Sequence, residues 1–412
     1  RRRIGLRLLL RGLLGLDRVR AVQAQLQLYP AFPLIIVGGT NGKGSTCAYL
    51  EASLLAAGYR VGCYTSPHLI RYNERVRIEG RMLDDAALCD GFAAVEAGRG
   101  ETALTYFEFG TLAAMWSFAQ AKLDVAILEV GLGGRLDAVN AFDPAVAIVT
   151  TVDLDHQDYL GDTREQIGLE KAGIFRAHKP AICADAEPPE SLLRHAEECG
   201  AQLLCIGRDF GVRREVDSWT YWGPQGTRAA LPFPGMRGAR QLTNAAAAIA
   251  ALDCLRERLP VAQANVRAGL LSARLPGRFQ VLPGKPDVIL DVAHNPQAAR
   301  ILAENLRAQP CAGKTYAVFG MLRDKDIAAV IAALDGLFDG WFVASLGGPR
   351  GAGAAQLAEL LQAHGQRVLQ QCPDIARAYS FACREAGEDD RICVFGSFHT
   401  VAEALLARGA KT

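Results

Sequence analysis

Residues 34–46 of the chain have the sequence LIIVGGTNGKGST. The apolar run from Leu34 to Val37 predicts a buried strand, and residues 45–57 have the pattern of a helix that ends at Gly58. A second apolar run, over 60–64, predicts the next strand. Strand, glycine-rich loop, helix and strand in this order are typical of a βαβ unit, so the stretch predicts a parallel sheet with helical crossovers.

The glycine-rich loop has the features of a phosphate-binding loop. Glycines permit a positive φ and let successive N–H groups converge on phosphate oxygens at the start of a helix. Lys43 would then neutralise the β- and γ-phosphates of a nucleotide. The candidate ATP-binding residues of the loop are Gly39, Thr40, Asn41, Gly42, Lys43, Gly44 and Ser45. The alternative is a tight turn with a surface lysine, and Gly44 departs from the common GxxxxGK[ST] pattern.

The same alternation of strands and helices continues along the chain. In the first half, strands are predicted at 125–130, 145–150 and 180–184, helices at 109–122 and 242–259, and small antiparallel strands within 212–234. Residues 275–286 carry three prolines and two glycines, which indicate a turn-rich connection. After it, strands are predicted at 288–292, 315–319, 341–345, 368–370 and 392–395, and helices at 297–308, 327–337, 354–364, 375–386 and 400–408.

This organisation predicts an α/β protein of two domains. Residues 1–275 form a P-loop ATPase-like domain, 276–286 a linker, and 287–412 a Rossmann-like doubly wound domain. We expect the ligands to bind in a cleft between the two domains.

Composition excludes several classes of protein. The chain has 45 Lys+Arg and 44 Asp+Glu among 412 residues, a net charge of +1, so we expect no nucleic-acid partner and no membrane partner. Its eleven cysteines are scattered and odd in number, which favours free thiols in the cytoplasm.

Residues 1–14 predict an amphipathic helix with a basic face, or else a membrane-surface segment. Nothing in the sequence requires an oligomer, so we expect a monomer.

Polar residues follow several predicted strands. Glu129 closes one strand, His156 follows another, and Asp291 and His294 follow the first strand of the second domain. Ligands of open α/β sheets bind at this edge, although a helix cap or a structural hydrogen bond is the alternative for each residue. ATP requires Mg²⁺, for which Glu129 is the obvious carboxylate ligand.

Motifs along almost the whole chain resemble those of one family. The loop GTNGKGS at 39–45 resembles the ATP loop of the Mur ligase superfamily, and its GKGS ending is similar to that of the folate branch, dihydrofolate synthase/folylpolyglutamate synthase. The other matching motifs are TSPHL at 65–69, RYNER at 71–75, LTYFE at 104–108, EVGLGGRLDA at 129–138, LDH at 154–156, EKAGI at 170–174, LPGR at 275–278, DVAHNP at 291–296 and GSFH at 396–399. The resemblance covers nearly all of residues 30–408.

The resemblance implies an ATP-dependent ligase. Such an enzyme joins L-glutamate to dihydropteroate, forming dihydrofolate, and adds further glutamates to folates through an acyl phosphate. ATP would be the co-substrate, with two Mg²⁺ ions and a monovalent cation as cofactors. The alternatives are a folylpolyglutamate synthase without the first activity, another Mur-type amide ligase, and a nucleotide-dependent switch that is not an enzyme.

The resemblance also implies roles for individual residues. The catalytic residues would be Lys43, Glu129, His156 and Lys171, and the metal ligands Ser66, Glu129, His156 and a carbamylated Lys171. Outside the loop, ATP would contact Asn244, Arg278 and Asp291. The pterin would contact Thr105, Phe107, Asp137 and Ala138, and glutamate would contact His294, Ser397 and His399.

A purely structural role remains the alternative for three of these residues. Lys171 could be a solvated lysine paired with Glu170 or Glu165, Arg278 could form a linker salt bridge, and Phe107 could be a core residue. Carbamylation needs a neutral amine, so it also requires an environment that depresses the pKa of Lys171.

Overall fold

The computed structural model describes residues 15–409. The helix expected over residues 1–14 lies outside the described residues. The chain divides into two compact units. The first unit extends to Arg274, except for Leu69–Arg71 and Met236–Arg240, which belong with the chain from Leu275 onward to the second unit.

The first unit contains the strands and helices that the alternating pattern predicts, together with further helices and short strands that it does not predict. Its helices and strands are α1 (Asp17–Gln25), β1 (Leu34–Gly38), α2 (Lys43–Ala56), β2 (Val61–Tyr64), β3 (Val76–Ile78), β4 (Arg81–Met82), α3 (Asp85–Arg99), α4 (Tyr106–Gln120), β5 (Val125–Glu129), β6 (Val146–Val149), α5 (Gln157–Leu160), α6 (Arg164–Ala172), β7 (Pro180–Cys183), α7 (Glu190–Glu198), β8 (Gln202–Cys205), β9 (Gly211–Arg214), β10 (Trp219–Gly223), β11 (Gly226–Leu231), α8 (Gln241–Cys254) and α9 (Gln263–Ser272). Short 3-10 helices cover Tyr72–Arg75 and Ala138–Ala141.

An eight-stranded sheet forms the centre of this unit, with the strand order β4-β3-β2-β5-β1-β6-β7-β8. The six strands from β2 to β8 in this order are parallel, and β3 and β4 are antiparallel at one edge. β1, β5 and β6 are buried along their whole length, as expected of central parallel strands. The phosphate loop therefore leaves β1 at the middle of the sheet, with β5 on one side and β6 on the other.

Strands β9, β10 and β11 form a separate three-stranded antiparallel sheet. This confirms the small antiparallel strands expected within 212–234. Trp219 and Tyr221 of β10 are fully buried and provide its apolar side.

The second unit repeats the alternation. Its elements are β12 (Gln280–Leu282), β13 (Asp287–Asp291), α10 (Pro296–Ala308), β14 (Thr315–Phe319), α11 (Ile327–Ala333), β15 (Gly340–Ala344), α12 (Ala354–Ala363), β16 (Val368–Cys372), α13 (Ile375–Glu385), β17 (Arg391–Phe395) and α14 (Phe398–Ala407). They build a six-stranded sheet of order β12-β13-β17-β14-β15-β16, parallel except for β12. The α/β class is confirmed.

Several boundaries differ from the sequence prediction. The segment 276–286 contains β12, which pairs antiparallel with β13; the prolines and glycines around this short strand gave the whole segment the pattern of a loop. Helix α4 begins at Tyr106 rather than at 109, because Thr105 and Glu108 form a capping box. Helix α8 ends at Cys254 rather than at 259, since Leu255 and Leu259 remain buried within turns and extended the apolar pattern.

None of the helices in the described part of the chain is long and apolar enough to span a bilayer.

Candidate active site

The loop between β1 and α2 is held by the residues that follow β6. The Thr40 N–H donates to the carbonyl of Thr151 at 2.7 Å, and the Asn41 N–H donates to the Thr151 hydroxyl at 3.1 Å. The Thr150 hydroxyl donates to the Asn41 carbonyl at 2.6 Å. Gly39 has a φ of +139°, and a Cβ there would collide with the Thr150 hydroxyl. The loop is therefore preorganised by hydrogen bonds that need this glycine.

Lys43 lies over the loop that it follows. Its ammonium group donates to the carbonyls of Gly39 at 3.0 Å and Thr40 at 3.3 Å. Gly42, at φ +91°, is the N-cap residue of the helix and has no side chain with which to cap it. The first N–H groups of a helix have no partner within it and carry its positive partial charge, so this terminus can receive a phosphate.

Asn244 of α8 lies beside the phosphate loop. A Cβ on Gly42 would stand 2.6 Å from the Asn244 Oδ1 atom. The Asn244 amide donates to Gln241 Oε1 at 3.4 Å, and the Tyr49 hydroxyl of α2 donates to the same oxygen at 3.1 Å. The structure thus brings the predicted ATP residue Asn244 to the loop through contacts between α2 and α8.

Glu129 and Ser66, two of the predicted metal ligands, are in contact. Glu129 is the last residue of β5 and is only 4% exposed. The Ser66 N–H donates to its Oε2 atom at 3.1 Å. Glu129 is the register partner of Val37, and the next residue, Val130, donates its N–H to the Val37 carbonyl at 2.9 Å. The carboxylate therefore lies next to the start of the phosphate loop.

Lys171 is a buried lysine in the last turn of α6 and is only 3% exposed. Burial and the positive charge of Lys43 lower its pKa from 10.5 to about 7, and the carboxylates of Asp155 and Asp137 oppose that shift. A large fraction of the amine is therefore neutral near pH 7.

The alternative of a solvated, ion-paired Lys171 is contradicted by its burial and by the contacts of the two glutamates. Glu170 accepts from Arg135 at 2.7 Å, and Glu165 accepts from the Ser191 N–H at 2.7 Å.

Asp137 is a buried carboxyl that holds the segment after β5. Its oxygens accept from the Leu132 N–H at 2.8 Å and the Val139 N–H at 3.1 Å, so it caps the 3-10 helix at 138–141. Burial raises its pKa from 3.8 to about 7, against the effect of these N–H groups and of Lys43. The predicted pterin residue Ala138 follows it and is also buried.

Phe107 joins the same region from helix α4. Its ring covers Gly131, where an added Cβ would lie 2.6 Å from the Phe107 Cζ atom, and lies 5.8 Å from the ring of Tyr64. Thr105 accepts from the Glu108 N–H at 3.3 Å as the N-cap of the helix. The structure therefore brings Phe107 next to the segment that carries Asp137, and it gives Thr105 a capping role.

Sequence reasoning missed an aromatic cluster beside Phe107. The Arg75 guanidinium lies 5.3 Å from the ring centre of Tyr72 and 5.4 Å from that of Tyr106. Tyr106 is 65% exposed, although it opens a largely buried helix. The available sequence signal was a third aromatic or polar residue between the candidate pterin residues Thr105 and Phe107.

His156 lies just before the short helix α5. It has a left-handed backbone, at φ +51°, and its ring is partly exposed. Its Nε2 atom is 3.9 Å from an Asp155 carboxylate oxygen. The negative charge of Asp155 also raises the pKa of Lys171. His156 and Lys171 therefore share Asp155 as an electrostatic neighbour.

In the second unit, Asp291 ends β13 and accepts two backbone hydrogen bonds. Its donors are the N–H groups of Phe279 at 2.9 Å and Ala293 at 2.8 Å. Burial raises its pKa, and the positive charge of Arg278 and these N–H groups oppose that shift. Asp291 thus fastens the strand end to the segment that carries Arg278.

Phe398 lies between two other candidates. The Arg278 guanidinium is 5.2 Å from the centre of its ring, and the ring of His294 is 6.2 Å away. The Nδ1 atom of His294 is 2.8 Å from the Val292 carbonyl. Arg278 and His294 are thereby brought to the same end of β13.

Ser397 and His399 lie at the start of α14. The Ser397 hydroxyl accepts from the Thr400 N–H at 3.0 Å as the helix N-cap, and the Thr400 hydroxyl donates to the Gly320 carbonyl at 2.6 Å. Ser397 is buried and His399 is exposed. The serine is therefore fixed by the fold.

The donor set at Ser66 and Glu129 fits a hard divalent cation. Hydroxyl and carboxylate oxygens are ligands that Mg²⁺ prefers, and it commonly takes one or two carboxylates with the rest from phosphate and water. Within residues 15–409, no three His, Cys, Asp or Glu side chains gather closely enough to hold a metal ion by themselves. An ion held by Glu129 would therefore need ligands of other kinds as well, such as hydroxyl, phosphate or water oxygens.

Comparisons with known proteins show which family the chain resembles. The Mur ligase middle domain matches residues 37–252, and the Mur ligase glutamate ligase domain matches residues 277–398. The dihydrofolate synthase/folylpolyglutamate synthase of Escherichia coli K12 is 48% identical over 393 residues, which cover 95% of this chain and 90% of that protein.

Two solved structures are similar over the whole fold. Escherichia coli FolC in complex with DHPP and ADP has a TM-score of 0.91 at 48% identity, covering 96% of this chain and 94% of that one. A bifunctional folylpolyglutamate synthase/dihydrofolate synthase with Mn, AMPPNP and L-glutamate bound has a TM-score of 0.90 at 49% identity, covering 96% and 95%.

Proposed function

The chain belongs to the Mur ligase superfamily and, within it, to the dihydrofolate synthase/folylpolyglutamate synthase family, and from this premise we propose how it acts. It is an ATP-dependent ligase that joins L-glutamate to dihydropteroate and to folates. ATP phosphorylates the acceptor carboxylate, the glutamate amine displaces the phosphate, and the products are an amide, ADP and phosphate.

One observation carries this proposal: the buried Glu129 carboxylate, in contact with Ser66, lies next to the start of the phosphate loop. A nucleotide bound at the loop would bring its terminal phosphates to a part of the sheet edge where oxygen ligands for a divalent ion are in place. A structural carboxylate would need no such neighbour.

The phosphate loop binds and orients the nucleotide. Lys43 exchanges its hydrogen bonds to the Gly39 and Thr40 carbonyls for phosphate oxygens, and the N–H groups at the start of α2 receive the rest. Asn244 supports the loop from α8. Ser66 and Glu129, with His156, would hold Mg²⁺, which when bound would screen the charge between the acceptor carboxylate and the γ-phosphate.

We propose that Lys171 is carbamylated. Its neutral amine attacks CO₂, the new N–C bond forms, and one proton leaves the nitrogen to solvent. The product is an anionic oxygen donor in place of an ammonium group. The lowered pKa of Lys171 supports this step, because a protonated amine has no lone pair with which to attack.

The acceptor binds at Phe107 and Asp137. An aromatic ring beside a carboxyl suits a flat heterocycle with N–H donors, since the ring stacks and the carboxyl accepts. Thr105 and Ala138 contribute to this site from the start of α4 and the start of the 3-10 helix at 138–141. Dihydropteroate and folates share the heterocycle, which is why one pocket serves both activities.

The remaining candidate site residues belong to the second unit. Arg278 and Asp291 contact the nucleotide, and His294, Ser397 and His399 contact the incoming glutamate. In this proposal residues 1–275 form the domain that binds ATP and folate, 276–286 form the linker, and 287–412 form the domain that binds glutamate. The gathering of Arg278, Asp291 and His294 at the end of β13 supports this proposal.

The test measures phosphate release from ATP with Mg²⁺, L-glutamate and dihydropteroate, omitting each component in turn. We expect release to require all four, and a second assay with a reduced folate to show added glutamates. Release that ignores the pterin would favour a nucleotide-dependent switch. Activity with folates alone would indicate a folylpolyglutamate synthase, and activity with UDP-sugar peptides a cell-wall ligase.

The remaining expectations concern assembly and location. We propose a monomer that acts in the cytoplasm without nucleic acid or membrane. Light scattering after size-exclusion chromatography tests the monomer, which for this chain has a mass of 44.2 kDa.

A further inference from the structure

A buried ion pair joins the phosphate-loop helix to the neighbouring edge of the sheet. Arg77 of β3 places its Nε and Nη2 atoms on the Glu51 carboxylate of α2, at distances from 2.8 to 3.1 Å. The side chains are 17% and 10% exposed. This is the two-pronged geometry that guanidinium and carboxylate groups form and that a lysine ammonium group cannot reproduce.

The same guanidinium also holds the backbone that carries Ser66. Its Nη1 atom donates to the Thr65 hydroxyl at 3.2 Å and to the Glu74 carbonyl at 3.0 Å. Thr65 directly precedes Ser66, whose N–H donates to Glu129 at 3.1 Å. A continuous set of contacts therefore runs from helix α2 through Arg77 to the candidate metal ligands Ser66 and Glu129.

We propose that Arg77 and Glu51 are a positioning pair for divalent-ion binding, which fixes Ser66 relative to the helix that Lys43 opens. The inference deepens the proposed function and rests on it, because it takes Ser66 and Glu129 as ligands of the ion that accompanies ATP. In this proposal Arg77 acts through its contact with Thr65 and not as a ligand of the ion.

Loosening the segment that carries Ser66 should weaken binding of the divalent ion. Residues that orient metal ligands typically change metal affinity by about 10 to 100-fold when they are replaced. Cys63, which also accepts from Arg77 at 3.2 Å, is too weak an acceptor to hold the guanidinium in place of the Glu51 carboxylate. If the arginine loses its fork, Thr65 and the Glu74 carbonyl lose their shared donor together.

The chain offers a matched control. Arg228 and Asp253 form another buried pair in the same unit, at 2.6 Å, with side chains 18% and 8% exposed. Arg228 lies on β11 and also donates to the Val261 carbonyl, away from the Ser66 segment. Replacing either arginine by lysine keeps the charge and removes the fork, so both changes should lower stability in similar ways.

The experiment compares Arg77→Lys with Arg228→Lys in the full chain. Binding of Mn²⁺ in the presence of AMPPNP is measured from the electron paramagnetic resonance signal of free Mn²⁺, and unfolding is followed by heat. We expect both variants to unfold at lower temperature, but only Arg77→Lys to weaken Mn²⁺ binding, by about tenfold or more. In a Ser66→Ala background the effect of Arg77→Lys should shrink, because the group that it positions is gone.

Unchanged Mn²⁺ affinity in Arg77→Lys, or an equal loss in Arg228→Lys, would overturn the inference. Failure of the unaltered protein to bind Mn²⁺ with AMPPNP would instead overturn the proposed function. Should Arg77→Lys not fold, Glu51→Gln is compared with Asp253→Asn by the same criterion.

Discussion

Two buried side chains in the first unit have pKa values close to neutral pH. Lys171 is shifted down by burial and by Lys43, and Asp137 is shifted up by burial, each to about 7. Each side chain is therefore partly uncharged in the pH range where the ligase would act, so the site can change its charge at little cost. An amine that is neutral can take up CO₂, and a carboxyl that is protonated can also donate a hydrogen bond.

Replacing Lys171 by alanine tests the carbamate. We expect Lys171→Ala to lose ligase turnover by more than about tenfold, since the oxygen donor for the metal is removed. A short carboxylic acid that enters the vacated space should restore part of it, and removing dissolved CO₂ should slow the unaltered enzyme. The exposed Lys179→Ala is the control. A fully active Lys171→Ala enzyme would contradict the prediction.

Asp137 predicts a pH dependence of stability. Its carboxyl has a pKa of 3.8 when unfolded and about 7 when folded, so between these values the folded state binds more protons. Stability from this group is therefore present at low pH and falls as pH rises towards 7.

Urea unfolding of the unaltered protein and of Asp137→Asn, from about pH 4 to about pH 7, measures this effect. The difference in unfolding free energy, unaltered minus variant, should decrease with pH. A difference that increases would show that Asp137 ionises more readily when folded.

At the scale of helices and strands, several candidate site residues also serve as helix caps. Thr105, Asp137 and Ser397 each accept an N–H at the start of a helix. The cap and the ligand role are compatible, because a cap places a polar residue at the helix N-terminus, where anionic groups bind. The phosphate loop differs, since Gly42 leaves that terminus open.

Gly39 and Gly58 both have a positive φ, but only Gly39 lies in the phosphate loop. Comparing them separates the cost of the backbone conformation from an effect on nucleotide binding. Gly39→Ala should be destabilised by about 1–3 kcal/mol and lose nucleotide binding, because its Cβ collides with Thr150 at φ +139°. Gly58, at φ +87° after the same helix, has open space around it, so Gly58→Ala should be destabilised by only about 1–2 kcal/mol and still bind. Calorimetric titration with ADP checks this, and loss of binding in both would contradict it.

Ser397 and Asp374 provide the same comparison for glutamate. Both are N-caps in the second unit, and Asp374 accepts from the Arg377 N–H at 2.8 Å. Alanine at either position should lower stability by about 1 kcal/mol. Only Ser397→Ala should raise the KM for glutamate, and steady-state kinetics at saturating ATP and pterin would show it. An equal KM for glutamate in both variants would indicate that Ser397 serves only as a helix cap.

For the whole molecule, two parallel-rich sheets form the centres of the two units, and no disulfide cross-links residues 15–409. All eleven cysteines are free thiols, and they are distributed over both units. Stability therefore depends on apolar burial in each unit rather than on covalent constraint.

Thiol titration tests this description. Under denaturing conditions without reductant, eleven thiols per chain should react, and fewer would indicate a disulfide. In the native protein Cys89 should react first, because it is exposed, whereas burial raises the pKa of Cys47, Cys63 and Cys393 and suppresses their thiolates. Cys89→Ser should remove the fast phase.

The order of elements, the α/β class and the phosphate loop follow from local patterns: apolar runs of strand length, helical periodicity and glycines before Lys43. The motifs also place the chain in its family. Burial and long-range contacts cannot be inferred from such patterns. Only the folded chain shows that Lys171 is buried beside Lys43, that Arg77 meets Glu51, and that Asn244 reaches Gly42, because each of these depends on which distant segments pack together.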